Sequence, residues 1–180
     1  MTMPCSPRTI ALLIACAMLP STPVLAQDAP SLPGGASSLQ ETYRDWRVAC
    51  EIVNASKRCA LSQQQARQDG QRVLAIELQA GPDDAVTGHL VLPFGLLLQA
   101  GITPQIDEQP SMDALPFRTC LPQGCIVPIT FDQPVIDSLR AGTTLKLTAK
   151  SSASNEDVTL GVSLRGFSTA LDRVKALVDG

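Results

Sequence analysis

The sequence predicts an all-β domain, a sandwich or a barrel, with a short amphipathic helix at its C-terminus. Three observations lead there. Apolar residues alternate with polar ones over short runs from Tyr43 onward, the period of strands with one buried face. Gly, Pro and Asp separate those runs at short intervals, which favours packed antiparallel sheets over a βαβ architecture. Only the last segment, from Phe167 to Val178, changes to helical spacing.

The 180 residues suffice for one domain with its own core. The chain opens with Arg8, an apolar run from Thr9 to Leu19, then Pro20 and Pro23, then Val24-Leu25-Ala26. This reads as a secretory signal over 1–26, cleaved between Ala26 and Gln27 and too short to remain as a membrane anchor. A competing reading takes Leu13-Ile14-Ala15-Cys16 as a lipobox that would make Cys16 an acylated N-terminus. The apolar run before Cys16 is then only about seven residues long, short for a signal core. Cleavage after Ala26 leaves 154 residues and a formal charge of −4, where the full chain carries −3. No dense basic patch is present to hold phosphate backbones, so nucleic acid is not an expected partner. No later apolar run approaches about 20 residues, so no span is expected after signal removal.

Residues 27–41, rich in Pro, Gly and Ser, read as a flexible tether, and the folded domain as 42–180. Trp46, Val48 and Cys50 alternate with Asp45, Arg47 and Ala49 as a first strand, and Trp46, the only tryptophan, reads as a core anchor. A polar loop follows, and Cys59, Leu61 and Gln63 make the second strand. Asp69-Gly70 marks a turn before a third strand at Val73–Leu78. Further strands fit Val86 to Pro93, Leu96 to Leu98, Ile102 to Ile106 and Leu115 to Cys120. Ile126 to Phe131 is another, and Pro128, which has no N–H, places it at an edge or a bulge. Asp132 to Ala141 suits one or two helical turns ended by Gly142. Thr144 to Ala149 and Val158 to Leu164 are the closing strands. In the terminal helix Phe167, Ala170, Leu171, Val174, Leu177 and Val178 share one face, with Ser168 as its expected N-cap.

Four cysteines remain in a chain bound for an oxidising compartment, which points to disulfides. Cys120 and Cys125 flank Leu-Pro-Gln-Gly, where Pro122 and Gly124 suit a β-turn that brings the two Cα atoms within the roughly 7 Å a bridge needs. Cys50 and Cys59 bracket a polar loop that a second bridge would close. Three connectivities exist for four cysteines, and loop geometry permits the two local bridges, Cys50–Cys59 and Cys120–Cys125.

Residues that carry chemistry are sparse. His89 is the only histidine, with no second nitrogen ligand nearby, so neither a metal site nor a histidine-activated nucleophile is expected. No catalytic residue and no cofactor are assigned. The pairs Asp83-Asp84, Asp107-Glu108 and Glu156-Asp157 read as solvated loop charge. The spacings C-x8-C and C-x4-C differ from the C-x-x-C of thiol–disulfide enzymes, which stands at a helix N-terminus. A small periplasmic thiol–disulfide or other enzyme stays as an alternative, as does a module binding a small ligand between the sheets.

One resemblance spans nearly all of the mature chain. Asp45-Trp46-Arg47-Val48-Ala49-Cys50, Cys59, Leu92-Pro93-Phe94-Gly95, Phe117-Arg118-x-Cys120-x3-Gly124-Cys125 and Leu164-Arg165-Gly166-Phe167-x2-Ala170-Leu171 occur in that order. This ordered set resembles the invasion-associated locus B family. The resemblance implies an exported protein with an immunoglobulin-like β-sandwich and no established catalytic residues to carry over. Function is then expected to be non-enzymatic, by contact with an unidentified protein partner in the envelope or on a host cell. The expected location is the periplasm or the cell surface.

Overall fold

Side chains that alternate in the sequence alternate between core and solvent in the computed structural model, which describes residues 30–70, 72–81 and 83–179. The elements in order are β1 (Ser38–Tyr43), β2 (Trp46–Val53), β3 (Ser56–Ala66), β4 (Arg72–Ala80), β5 (Val86–Leu92), β6 (Ile102–Ile106), β7 (Thr119–Leu121) and β8 (Gly124–Phe131). Then come α1 (Gln133–Ala141), β9 (Thr144–Lys150), β10 (Asp157–Ser163) and α2 (Phe167–Asp179). All strand pairs are antiparallel. They form a seven-stranded sheet, β1-β2-β3-β4-β5-β8-β7, and a three-stranded sheet, β10-β9-β6.

The core lies between the sheets and the two helices. Val48, Leu61, Leu78 and Leu90 face inward from the large sheet, Ile102, Leu147 and Val162 from the small one, and Phe167, Leu171 and Val174 from α2. Burial of this kind stabilises by about 25 cal/mol per Å² of apolar surface removed from water, the main term favouring the fold. Trp46 is 1% exposed and is a core residue, as its strand phase predicts.

Several sequence-based boundaries differ from the structure. The described part of the expected tether is built into the fold: β1 begins at Ser38 and pairs with β2 from Ser38↔Glu51 to Tyr43↔Trp46. Its chain breakers shape a turn. Gly34 and Gly35 adopt positive φ, the Leu32 N–H bonds the Ala36 carbonyl, and Leu32 is buried in the core. The strand expected over Leu115–Cys120 reduces to β7 and a single bridge between Leu115 and Ile102. Leu115 exchanges both backbone bonds with Ile102, and the preceding loop covers the outer edge of β6, with the Met112 N–H on the Pro104 carbonyl. The run Leu96–Leu98 is likewise no strand: Leu96 bridges Ser151 and a 3-10 turn follows at Leu98–Ala100.

The expectation for Pro128 is met by its position. β7 pairs only with Gly124 to Ile126, so among the described residues Pro128 lies where β8 has no outer neighbour. Asp132 caps α1, accepting from the Val135 N–H at 3.2 Å. Ser168 is not the cap of α2. The helix starts one residue earlier, Gly166 before it holds φ +88° where a Cβ would collide with the Tyr43 carbonyl, and the Ser168 hydroxyl instead donates to the Arg140 carbonyl of α1. Val178 is 41% exposed, while the rest of the expected apolar face is buried.

Candidate functional site

The four cysteines sit on directly opposed residues of antiparallel strands. Cys50 pairs with Cys59 across β2 and β3, and Cys120 with Cys125 across β7 and β8, with S–S distances of 2.05 and 1.98 Å. The first bridge lies on the core face and is almost fully buried. The second closes the Pro122-Gln123 turn, with Cys125 buried and Cys120 exposed. Neither stands at a helix N-terminus, where a dipole would favour a thiolate. Ala26 and Gln27, at the expected signal cleavage site, and Cys16 lie outside the described residues. His89 is on the outer face of the large sheet, opposite Glu77 and Pro128. Among the described residues no three His, Cys, Asp or Glu side chains converge as metal ligands, and no helix is long and apolar enough to cross a membrane.

One surface feature lies at the end of the sandwich where the β3–β4 loop, the residues after β5 and the β7–β8 turn meet β10. A cavity of about 550 Å³ opens there. Val73, Pro93, Phe94, Val158 and Leu160 give it apolar walls, and Arg67 and Arg72 stand at its rim. Phe94 is 61% exposed and Leu121, beside the turn, 43%. Two large apolar side chains are thus open to water near one cavity, a surface that a contact would cover.

Beside the cavity β10 is joined to the large sheet by side chains rather than by a neighbouring strand. Gln63, the buried polar residue of the core, donates from Nε2 to the Ser163 carbonyl at 2.9 Å and accepts the Ser163 N–H at 3.1 Å. The Trp46 indole N–H donates to the same carbonyl at 2.9 Å, and Gln65 donates to the Gly161 carbonyl at 2.5 Å. The alternation places Gln63 in a strand, and nothing local gives it a role. A polar residue in phase with Cys59 and Leu61 is the signal that points to a buried partner.

A second cluster fixes α2 to the sheet edge. Arg173 donates two hydrogen bonds to Glu41, both at 2.8 Å, and the Tyr43 hydroxyl donates to Glu41 at 2.7 Å. The Arg173 hydrogen bonds, with that from Tyr43, hold the Glu41 carboxyl below its usual 4.5. The bond to Glu41 raises the Tyr43 hydroxyl. A depressed carboxylate means the unfolded chain takes up protons first as pH falls. The pair's contribution is therefore complete above about pH 4.5 and is lost as pH drops through the lower folded value. Glu41→Gln is expected to be less stable than wild type at neutral pH, with the gap closing below pH 4.5 in denaturant melts. A gap independent of pH would show that the carboxylate charge does not matter there.

Comparison with known proteins follows the same residues. The Invasion associated locus B (IalB) protein family profile matches residues 46–175. The chain is 44% identical over 154 residues to an invasion protein B homolog of Brucella abortus, covering 85% of this chain and 88% of that one. It is 40% identical over 149 residues to invasion protein B of Bartonella bacilliformis, covering 82% and 80%. The crystal structure of invasion associated protein B from Bartonella henselae superposes with a TM-score of 0.74 at 37% identity, covering 78% of this chain and 97% of that one.

Proposed function

The chain belongs to the invasion associated locus B family, and from that premise we propose that it is an exported envelope protein that works by contact with another protein. The observation that carries this reading is the pair of local disulfides, Cys50–Cys59 and Cys120–Cys125, a cross-linking pattern that persists in oxidising compartments. Export by the signal over 1–26 is part of the proposal. Contact is supported by the exposed Phe94 and Leu121 beside an apolar cavity. The relatives' names connect them with invasion. For this chain, host-cell contact is the finer form of the proposal and requires the domain to face outward.

Protease added to intact cells, beside a periplasmic control and a sample with a permeabilised outer membrane, tests the reading. Digestion on intact cells with the control spared supports host contact. Protection until permeabilisation removes the host-cell form and leaves a role inside the envelope. Recovery of the protein from the cytoplasm with free thiols overturns export itself.

A further inference from the structure

We propose that the uncovered half of the outer edge of β10, together with the cavity beside it, is a docking groove for an extended acidic segment of a partner protein. The inference rests on the contact reading above and deepens it by naming the place and the chemistry.

The direction of each backbone group along β10 follows from two bonds. The Leu164 N–H bonds the Thr143 carbonyl on the β9 side, while the Ser163 N–H turns the other way to Gln63. Backbone groups alternate along a strand. Val158, Leu160 and Val162 therefore direct theirs to β9, and Asp157, Thr159, Gly161 and Ser163 direct theirs outward. At Ser163 the Gln63 amide satisfies both outward groups, and at Gly161 Gln65 takes the carbonyl. These side-chain amides occupy the place of a neighbouring strand. Their cover stops there: among the described residues nothing bonds the outward N–H or carbonyl of Thr159, which is exposed.

The open rungs lie against the cavity, since Val158 and Leu160, on either side of Thr159, line it. Arg72 at the rim has no carboxylate partner among the described residues. Three features thus coincide: backbone groups that want a strand, a pocket with room for an apolar side chain, and a guanidinium that wants an acid. An extended peptide uses all three, with main-chain bonds for affinity and alternate side chains for specificity. A free apolar anion would use the pocket and Arg72 but leave the Thr159 rungs to water.

The test uses the isotope-labelled mature chain and a blocked peptide about eight residues long, the length of an ordinary strand. The peptide alternates valine with threonine and carries two aspartates at one end, and a lysine counterpart is the control. Saturating shifts at the Thr159 and Gly161 amides are expected on adding the acidic peptide. Thr159→Pro removes the outward N–H while keeping the bonds to β9, and is expected to weaken binding tenfold or more. Arg72→Glu, on an exposed side chain that leaves the fold untouched if the proline variant melts early, should reverse the preference towards the lysine peptide. Shifts confined to another surface, or tight binding by both variants, overturn the groove. Photocrosslinking in cells from Phe94 and from Ala60, on the outer face of the large sheet, separates this failure from failure of the contact reading. Crosslinks from Ala60 alone overturn the groove and leave contact standing, and crosslinks from neither overturn both. A Phe94 crosslink that disappears in Arg72→Glu supports the groove.

Discussion

Replacing Cys50, Cys59, Cys120 and Cys125 together by alanine is expected to lower the stability of the oxidised protein by about 4–6 kcal/mol, roughly 2–3 for each short loop released in the unfolded chain. That is a large share of the 5–15 kcal/mol typical of a domain. It corresponds to a melting point lower by roughly 10–20 °C for a chain of this size. The two bridges should not contribute equally. Cys50 and Cys59 are 3% and 5% exposed and occupy core volume beside Val48 and Leu61, so their alanine pair adds a cavity to the lost cross-link. Cys120 is exposed at the end of the sheet and only Cys125 of that pair is buried, so its alanine pair should add a smaller cavity to the loop term. Denaturant melts of the two double variants with unchanged slope would give the ranking directly. If reductant leaves the wild-type melt unmoved while both bridges are shown to be open, the bridges do not stabilise the domain.

What could be read from the residues is what depends on neighbours in the chain. Alternation of Trp46, Val48 and Cys50 shows which face of β2 is buried, and the spacing of Phe167, Ala170, Leu171 and Val174 does the same for α2. Pro122 and Gly124 define a turn within four residues, so the Cys120–Cys125 bridge follows from local geometry. Contacts between distant segments are different. Glu41 and Arg173 are 132 residues apart and Gln63 and Ser163 are 100 apart, and no period or turn rule relates them. The early start of the fold was hidden for a related reason. Gly34, Gly35 and Pro33 carry the composition of a tether, but here they bend the chain so that Leu32 enters a core assembled from elements far away. The groove along β10 was invisible because an edge exists only once the strand order is known.

Trp46→Ala is expected to cost about 3–5 kcal/mol, the range for removing a buried aromatic side chain. Its ring joins the large sheet, β10 and α2. It packs edge-on against Phe167 with ring centroids 5.3 Å apart and planes at 61°, and its indole N–H reaches the Ser163 carbonyl. Trp46→Phe separates these roles. It keeps an apolar ring in the site and removes one of two donors on that carbonyl, leaving Gln63 in place, so its cost should be nearer 1–2 kcal/mol. Phe167→Ala, alone and with Trp46→Ala, isolates the ring pair. The two single losses should exceed the double loss by roughly 0.5–1.5 kcal/mol, the usual worth of such a contact. Strict additivity would mean that the two rings fill space independently. A cost below about 1 kcal/mol for Trp46→Ala, typical of a surface change, would mean that Gln63 and the apolar contacts alone hold β10 to the sheet.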